Sequence, residues 1–287
     1  MADYKIITDS GCDLPSQMLE ELDVLTVPLI VNFRGEDRPD SVDEGIKDMY
    51  AGLRSGEVAT TSAINPSRWG QAMESVLSQG MDALTITFSS GLSTTYQSAV
   101  IAAEELKEKY PDRKIIVVDS LCAALGQGLL IWYASKKKAE GLSVEALAKW
   151  VEDNKLHLCH WVAVDDLMYL KRGGRVSATT AVVGTMLQIK PIIHVDDEGH
   201  LINVGKSRGR KASIQALAQK ALELGKDYDN STMFICHGDC IEDAEYLAGL
   251  VKEKCGAKDV FIGYIGAVIG SHAGPGTLAL FFMGEHR

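Results

Sequence analysis

Short apolar runs rich in β-branched residues alternate with longer stretches of helical period through the first half of the chain. Tyr4–Thr8, Val24–Val31, Ala83–Phe88 and Lys114–Asp119 read as strands. Between them the spacing predicts helices around Pro15–Leu22, Val42–Leu53, Pro66–Ser78 and from Thr95 to about Lys109, with a long helix after Asp119. Asn65 stands where it can cap the helix that opens on Pro66, Pro28 marks an edge or an irregularity, and Arg34–Pro39 reads as a polar loop. Strand–helix alternation of this kind predicts a parallel sheet covered by helices.

The pattern changes near Lys155. His157–Val164 reads as a strand and Asp165–Lys171 as a short helix, while Ile189–Val195 and His200–Gly205 flank Asp196-Asp197-Glu198-Gly199 as a hairpin. A helix over about Gly209–Leu224 follows, then strands at Thr232–Cys236, Val260–Tyr264 and Leu278–Met283. The expectation is an α/β protein of two domains. Residues 1–155 form a parallel sheet flanked by helices, and residues 156–287 an α/β domain with a mixed sheet.

Bulk properties narrow the function classes. The chain has 287 residues with a formal net charge of −10, which opposes any whole-surface attraction to nucleic acid or anionic lipid. No apolar run reaches the length of a membrane span, and Met1-Ala2-Asp3-Tyr4 leads into a strand without the basic and apolar regions of a secretion signal. The expectation is a cytoplasmic protein without stable membrane insertion. The six cysteines are scattered, as reduced thiols would be. Cys236-His237-Gly238-Asp239-Cys240 has no second pair at zinc spacing and reads as a strand end, a turn and a helix start. Neither a metal nor a cofactor is expected.

Familiar catalytic signals come close and miss. Gly199 to Gly205-Lys206-Ser207 has one residue too many for a phosphate loop and sits on the hairpin. Gly126-Gln127-Gly128 begins a dinucleotide fingerprint, but Ile131 occupies the third small position. Gly91-Leu92-Ser93-Thr94-Thr95 begins a nucleophile elbow and ends in threonine instead of glycine.

Four elements keep chemical interest. Ala59-Thr60-Thr61-Ser62-Ala63-Ile64-Asn65-Pro66 and Ser89-Ser90-Gly91-Leu92-Ser93-Thr94-Thr95-Tyr96 are hydroxyl-rich loops before helices. They suit a carboxylate or phosphate, although Ser and Thr also serve there as helix caps. The second loop lies at the carboxyl end of a strand of a parallel sheet, where ligands bind. His272 stands among glycines and alanine in Gly270-Ser271-His272-Ala273-Gly274, free to donate a hydrogen bond, to act as acid or base, or to serve structure alone. Lys171-Arg172-Gly173-Gly174-Arg175 and Lys206-Ser207-Arg208-Gly209-Arg210-Lys211 are basic turns expected at the surface, as solvated ends or as anion and partner sites.

Taken in order, these segments resemble the DegV family of bacterial proteins. The resemblance rests on Ile7-Thr8-Asp9-Ser10 with Asp13-Leu14-Pro15, Thr60-Thr61-Ser62 with Pro66, and Ser89-Ser90-Gly91-Leu92-Ser93 with Thr95-Tyr96-Gln97-Ser98-Ala99. It continues through Val118-Asp119-Ser120, Tyr169-Leu170-Lys171-Arg172-Gly173-Gly174-Arg175-Val176-Ser177 and Ile189-Lys190-Pro191-Ile192. It closes on His237-Gly238-Asp239 and Ile269-Gly270-Ser271-His272-Ala273-Gly274-Pro275-Gly276. Thr94 departs from it, standing where the family usually has glycine. The resemblance implies a two-domain α/β fold holding a long-chain fatty acid. It implies that Thr61 and Ser93 grip the carboxylate, with Ser62 nearby and His272 at the headgroup. It also implies a carrier role beside a bacterial fatty acid kinase, which would phosphorylate the presented carboxylate for phospholipid synthesis. Arg172, Arg175, Arg208 and Arg210 are then the expected partner contacts, Arg175 first among them. Two other classes stay open, a serine-dependent acyl hydrolase or transferase built on Ser93 and His272, and a lipid-sensing regulator.

Overall fold

A computed structural model describes residues 3–176 and 188–287, so Met1, Ala2 and Ser177 of the segments quoted above lie outside it. The first sheet is wholly parallel, as the alternation predicts. Its strands β1 (Tyr4–Asp9), β2 (Val24–Val27), β6 (Asp82–Thr87) and β7 (Ile115–Asp119) lie in the order β2-β1-β6-β7. Every residue of β6 is buried, as expected of a strand covered on both faces. The covering helices are α1 (Ser16–Glu21), α3 (Pro66–Leu77), α4 (Thr95–Lys109), α5 (Ala124–Ala139) and α6 (Val144–Asn154). Asn65 caps α3 by accepting from Arg68 N at 3.0 Å, with Pro66 at the first helical position.

The single strand expected over Val24–Val31 is two. Pro28 cannot donate to a ladder, and the chain leaves the parallel sheet there. After it, β3 (Ile30–Phe33) pairs antiparallel with β4 (Glu36–Pro39) on one side and with β5 (Ala59–Ser62) on the other. The expected polar loop over Arg34–Pro39 is therefore a tight turn and an exposed edge strand. The first hydroxyl-rich segment likewise holds a strand, with Thr61 opposite Val31. Helix α2 (Ile46–Arg54) starts four residues after Val42, because Gly45 adopts the left-handed conformation ahead of it.

The third sheet is mixed, in the order β10-β9-β8-β13-β11-β12. It comprises β8 (Leu158–Ala163), β9 (Ile189–Val195), β10 (Leu201–Arg208), β11 (Thr232–His237), β12 (Asp259–Tyr264) and β13 (Leu278–Met283). Only β11 and β12 run parallel, and β9 and β10 form the expected hairpin. Helices α8 (Arg210–Leu224) and α9 (Ile241–Cys255) cover one face, where Trp161, Leu217, Leu247 and Phe282 share a core. The other face turns toward the parallel sheet. There Leu125, Leu129 and Leu130 of α5 pack with Ile6 and Leu84 on one side and Phe234 and Phe281 on the other. The boundary proposed near residue 155 falls between α6 and β8, but this core is common to both halves. Two short helices, α7 (Met168–Arg172) and α10 (Ala267–Ala273), bring the remaining site residues to the same junction. Among the described residues, no helix is long and apolar enough to cross a membrane.

Candidate ligand cavity and headgroup cluster

At that junction lies a cavity of about 450 Å³, within the usual size range of small-molecule sites. Its long wall is apolar. Val162 on β8, Ile193 and Val195 on β9, and Ala279 and Phe281 on β13 face it from the mixed sheet, with Leu92 and Ile269 opposite. Two polar residues of the deep wall already use their atoms on the backbone. His160 Nδ1 lies 2.9 Å from Leu158 O, and its Nε2 accepts from Ala123 N at 3.3 Å. Thr277 Oγ1 donates to Ala273 O at 2.8 Å. Burial pushes the His160 pKa well below the ordinary histidine value, so the ring is a neutral wall at pH 7.

Hydroxyls, an imidazole and a guanidinium gather at one end. Thr61, Ser62, Ser93, Thr94, Arg175 and His272 all line it. Thr61 Oγ1 lies 2.8 Å from His272 Nε2, joining β5 to the last turn of α10. Ser93 belongs to the turn before α4: its N donates to Ser89 O at 3.1 Å, and its Oγ lies 2.8 Å from Thr95 Oγ1. Ser62 and Thr94 are exposed at the mouth, whereas Thr61, Ser93 and His272 are half-buried. Burial first, and then the nearby Arg175 cation, lower the His272 pKa to about 4, leaving it neutral at pH 7. The structure thus brings together the four residues expected at the headgroup.

It does not assemble a serine hydrolase pair. Ser93 is engaged with Thr95 while His272 is engaged with Thr61, and among the described residues no carboxylate hydrogen-bonds to His272. A base and nucleophile would need to share that bond themselves.

The basic turns differ from expectation. Arg175 is half-buried and lines the cavity, with Nε donating to Leu92 O at 3.2 Å. The Gly-Gly turn before it was expected to be solvated, but Gly173 packs onto the histidine. A Cβ at residue 173 would collide with His272 Nδ1, and Gly174 has φ +72°. Arg210 is also withdrawn, its Nε bonding Asp243 at 2.8 Å and its Nη1 lying 3.4 Å from Asp165. Arg172 and Arg208 are exposed, Arg172 beside the Tyr169 ring and Arg208 at the end of edge strand β10. The hairpin before Arg208 closes against the Ser89 loop. Ser89 Oγ donates to Gly199 O at 2.9 Å, and a Cβ on Gly91 would stand 2.7 Å from that same carbonyl. Cys236-His237-Gly238-Asp239-Cys240 is wired as a turn, with Cys240 N donating to His237 Nδ1 at 3.2 Å and Arg54 pairing with Asp239.

Three buried carboxylates beside the site carried no separate signal in the sequence reading. Asp9 accepts from Phe88 N at 2.7 Å and Gly11 N at 3.0 Å, and burial pushes its pKa up to about 7. Asp40 accepts from Val268 N at 2.9 Å and Ser10 Oγ at 2.7 Å. Asp13 is fully buried, and among the described residues neither carboxylate oxygen makes a well-formed hydrogen bond, only the Gly266 backbone favouring its charge. The available signal was charge standing among apolar residues at strand and turn ends, which sequence cannot distinguish from solvated capping.

Known proteins share this architecture. The DegV family profile matches residues 3–285. A DegV domain-containing protein of Clostridium perfringens is 46% identical over 289 residues, covering 100% of this chain and 99% of its own length. A fatty-acid-binding DegV family protein from Thermus thermophilus superposes with a TM-score of 0.86 at 29% identity, covering 99% of this chain and 100% of its own. A stearic-acid-binding protein from Eubacterium ventriosum gives a TM-score of 0.87 at 28% identity, covering 97% and 98%. The Streptococcus pneumoniae fatty acid kinase B3 protein, solved with linoleic acid, has the same fold at 22% identity and TM-score 0.85, covering 99% and 100%.

Proposed function

This chain belongs to the DegV family, and we propose that it is a non-catalytic carrier of one long-chain fatty acid. The observation that carries this reading is a cavity with a long apolar wall that is also lined by the Thr61–His272 pair, Ser62, Ser93 and Arg175. The fatty acids bound by two of the solved relatives point the same way. An acyl chain of about a dozen methylenes gains roughly 10 kcal/mol gross at ~0.8 kcal/mol each, reduced by association and ordering costs. At the head, Thr61 and Ser93 donate to the carboxylate, with Ser62 at the mouth. With its proton on Nε2, His272 donates to Thr61 Oγ1 and leaves the threonine hydrogen for the ligand. Arg175 supplies the nearby positive charge from inside the cavity. Mass spectrometry of lipid extracted from freshly purified protein should find about one fatty acid per chain. A clean apo protein that also takes up neither added oleate nor palmitate overturns the reading.

The finer reading is presentation of the carboxylate to an ATP-dependent fatty acid kinase in the cytoplasm. Hydroxyl donors, not the guanidinium, make the direct bonds to the carboxylate, and Arg175, tied to Leu92 O, contributes charge from beside them, so the reacting oxygen keeps nucleophilic character toward a γ-phosphate. Of the arginines considered as partner contacts, the exposed Arg172 and Arg208 fit that role best. Arg175 belongs to the lipid site, and Arg210 is held by Asp165 and Asp243. Charge reversal at Arg172 and Arg208 together should depress acyl-phosphate formation with a partner kinase while fatty acid occupancy stays normal. Unchanged turnover would make these two arginines ordinary surface.

A further inference from the structure

We propose that Asp40 is a positioning residue for the headgroup site, setting the Thr61–His272 spacing from beneath it through Val268 and Ser10. The proposal rests on the fatty acid reading for its consequence, but its structural core does not depend on that reading.

The two residues of the headgroup hydrogen bond come from elements far apart in sequence. Thr61 lies on β5, the strand paired with β3 in the small sheet, and His272 lies on α10. Asp40 is anchored in that small sheet: it directly follows β4, and its backbone N donates to Leu29 O at 2.9 Å. Its carboxylate reaches out of the sheet, Oδ1 accepting from Val268 N at 2.9 Å in the first turn of α10. One side chain therefore spans from the sheet that carries Thr61 to the helix that carries His272. It leaves no water layer to absorb a shift, since Asp40 is only 7% exposed.

Ser10 completes the link to the parallel sheet. Its hydroxyl donates to Asp40 Oδ2 at 2.7 Å and accepts from Leu29 N at 2.9 Å, using both hydrogen-bonding capacities to fix the carboxylate's second oxygen. Ser10 and Asp13 occupy the turn that follows β1, and Asp13 Oδ1 presses on Gly266, the residue that precedes α10. Any Cβ at residue 266 would collide with that oxygen, so the entry to α10 is held from below as well. Tyr50 Oη donates to Ile265 O, just before the helix, at 2.9 Å, and farther along it a Cβ at Gly270 would strike the same phenol oxygen. With α10 only seven residues long, a displacement at Val268 reaches His272 within about one turn.

The test uses the full chain and three variants, Asp40→Ala, Asp40→Asn and Ser10→Ala. The first readout is the imidazole ¹⁵N spectrum of His272, assigned by its loss in His272→Gln and recorded without lipid. The second is the dissociation constant for oleate, from displacement of a fluorescent fatty acid. Asp40→Ala and Ser10→Ala should move the His272 resonances and weaken oleate binding roughly tenfold, the size of a lost hydrogen bond to a charged group. Asp40→Asn, whose amide oxygen still accepts from Val268 N, should restore the wild-type spectrum. Ser10→Ala keeps the test open if Asp40→Ala fails to fold. His272 resonances unmoved in a folded Asp40→Ala or Ser10→Ala protein overturn the proposal, even if its thermal midpoint falls. If the wild-type protein binds no oleate, the carrier reading fails, and the lipid-free spectrum still decides the role of Asp40.

Discussion

Replacing Thr61 with valine keeps the volume of the side chain and deletes one oxygen. Two interactions go with it: the 2.8 Å bond to His272 Nε2 and, on the carrier proposal, a donor to the bound carboxylate. The first is a neutral hydrogen bond, worth about 0.5–1.5 kcal/mol net, so the fold should lose little. The second is charge-assisted, and its loss should cost roughly 1.5–3 kcal/mol, about ten- to a hundredfold in affinity. Ser93→Ala removes a donor wired differently, through Thr95 and not His272. The two losses should therefore add in the double variant, apart from the share that both hydroxyls exert on one carboxylate. Displacement of a fluorescent fatty acid by oleate measures each constant, and thermal unfolding of the lipid-free proteins separates binding from stability. Wild-type affinity in the folded double variant refutes the assignment and returns both hydroxyls to capping and turn formation.

Three further outcomes follow from the geometry. Gly173→Ala drives a methyl group against His272 Nδ1 and should cost about 1–3 kcal/mol of stability with a clear loss of oleate affinity; an unchanged midpoint and affinity would mean the turn yields freely. The lowered His272 pKa of about 4 means that the unfolded chain binds more protons between about pH 4 and the ordinary histidine value. The His272 contribution is therefore full above about pH 6.5 and is lost as pH falls toward 4. Asp9, raised to about 7, slopes the opposite way across that range, so the measurement is the difference between wild type and His272→Gln. That difference should tilt by on the order of 2–3 kcal/mol, and a flat one contradicts the assignment. Asp13, its pKa raised by burial and by the neighbouring Asp40, favours the folded state only while protonated. Asp13→Asn should therefore gain stability relative to wild type as pH rises from 5 to 8, and a midpoint that falls further at pH 8 would show that the carboxylate is needed ionised.

The strand and helix pattern was legible wherever burial is one-sided or complete over a long element. The parallel sheet, the hairpin at Asp196–Gly199 and the capped start of α3 all follow from local chemistry. The small sheet was not legible, because its strands are four residues long and one carries only exposed side chains, Glu36–Pro39. Thr61 was visible as a site residue without being visible as a strand residue. Arg175 marks a different limit. A basic residue after two glycines looks like a solvated turn, and only tertiary packing shows that Gly173 is small to admit His272 and that the guanidinium turns inward. Asp13 and Asp40 were not legible as a pair, since nothing in one sequence shows that carboxylates 27 residues apart meet beside one short helix.

The site is assembled from pieces that no single sheet holds together. Thr61 rides on the small sheet, Ser93 on the parallel-sheet loop, Arg175 after α7, His272 on α10, and the acyl wall on the mixed sheet. A ligand touching all of them is worth more to the fold than its contacts with any one, because binding selects the arrangement in which every piece is in place. The buried links beneath α10 reduce what a ligand must order: Asp40 holds the first turn of the helix and Tyr50 the segment leading into it, each by a 2.9 Å hydrogen bond. Of the polar lining residues, Ser62 and Thr94 are exposed, and the hairpin tip packs separately on Ser89 and Gly91. Buried hydrogen bonds thus back the end of the cavity that holds Thr61 and His272, while Ser62 and Thr94 stay exposed.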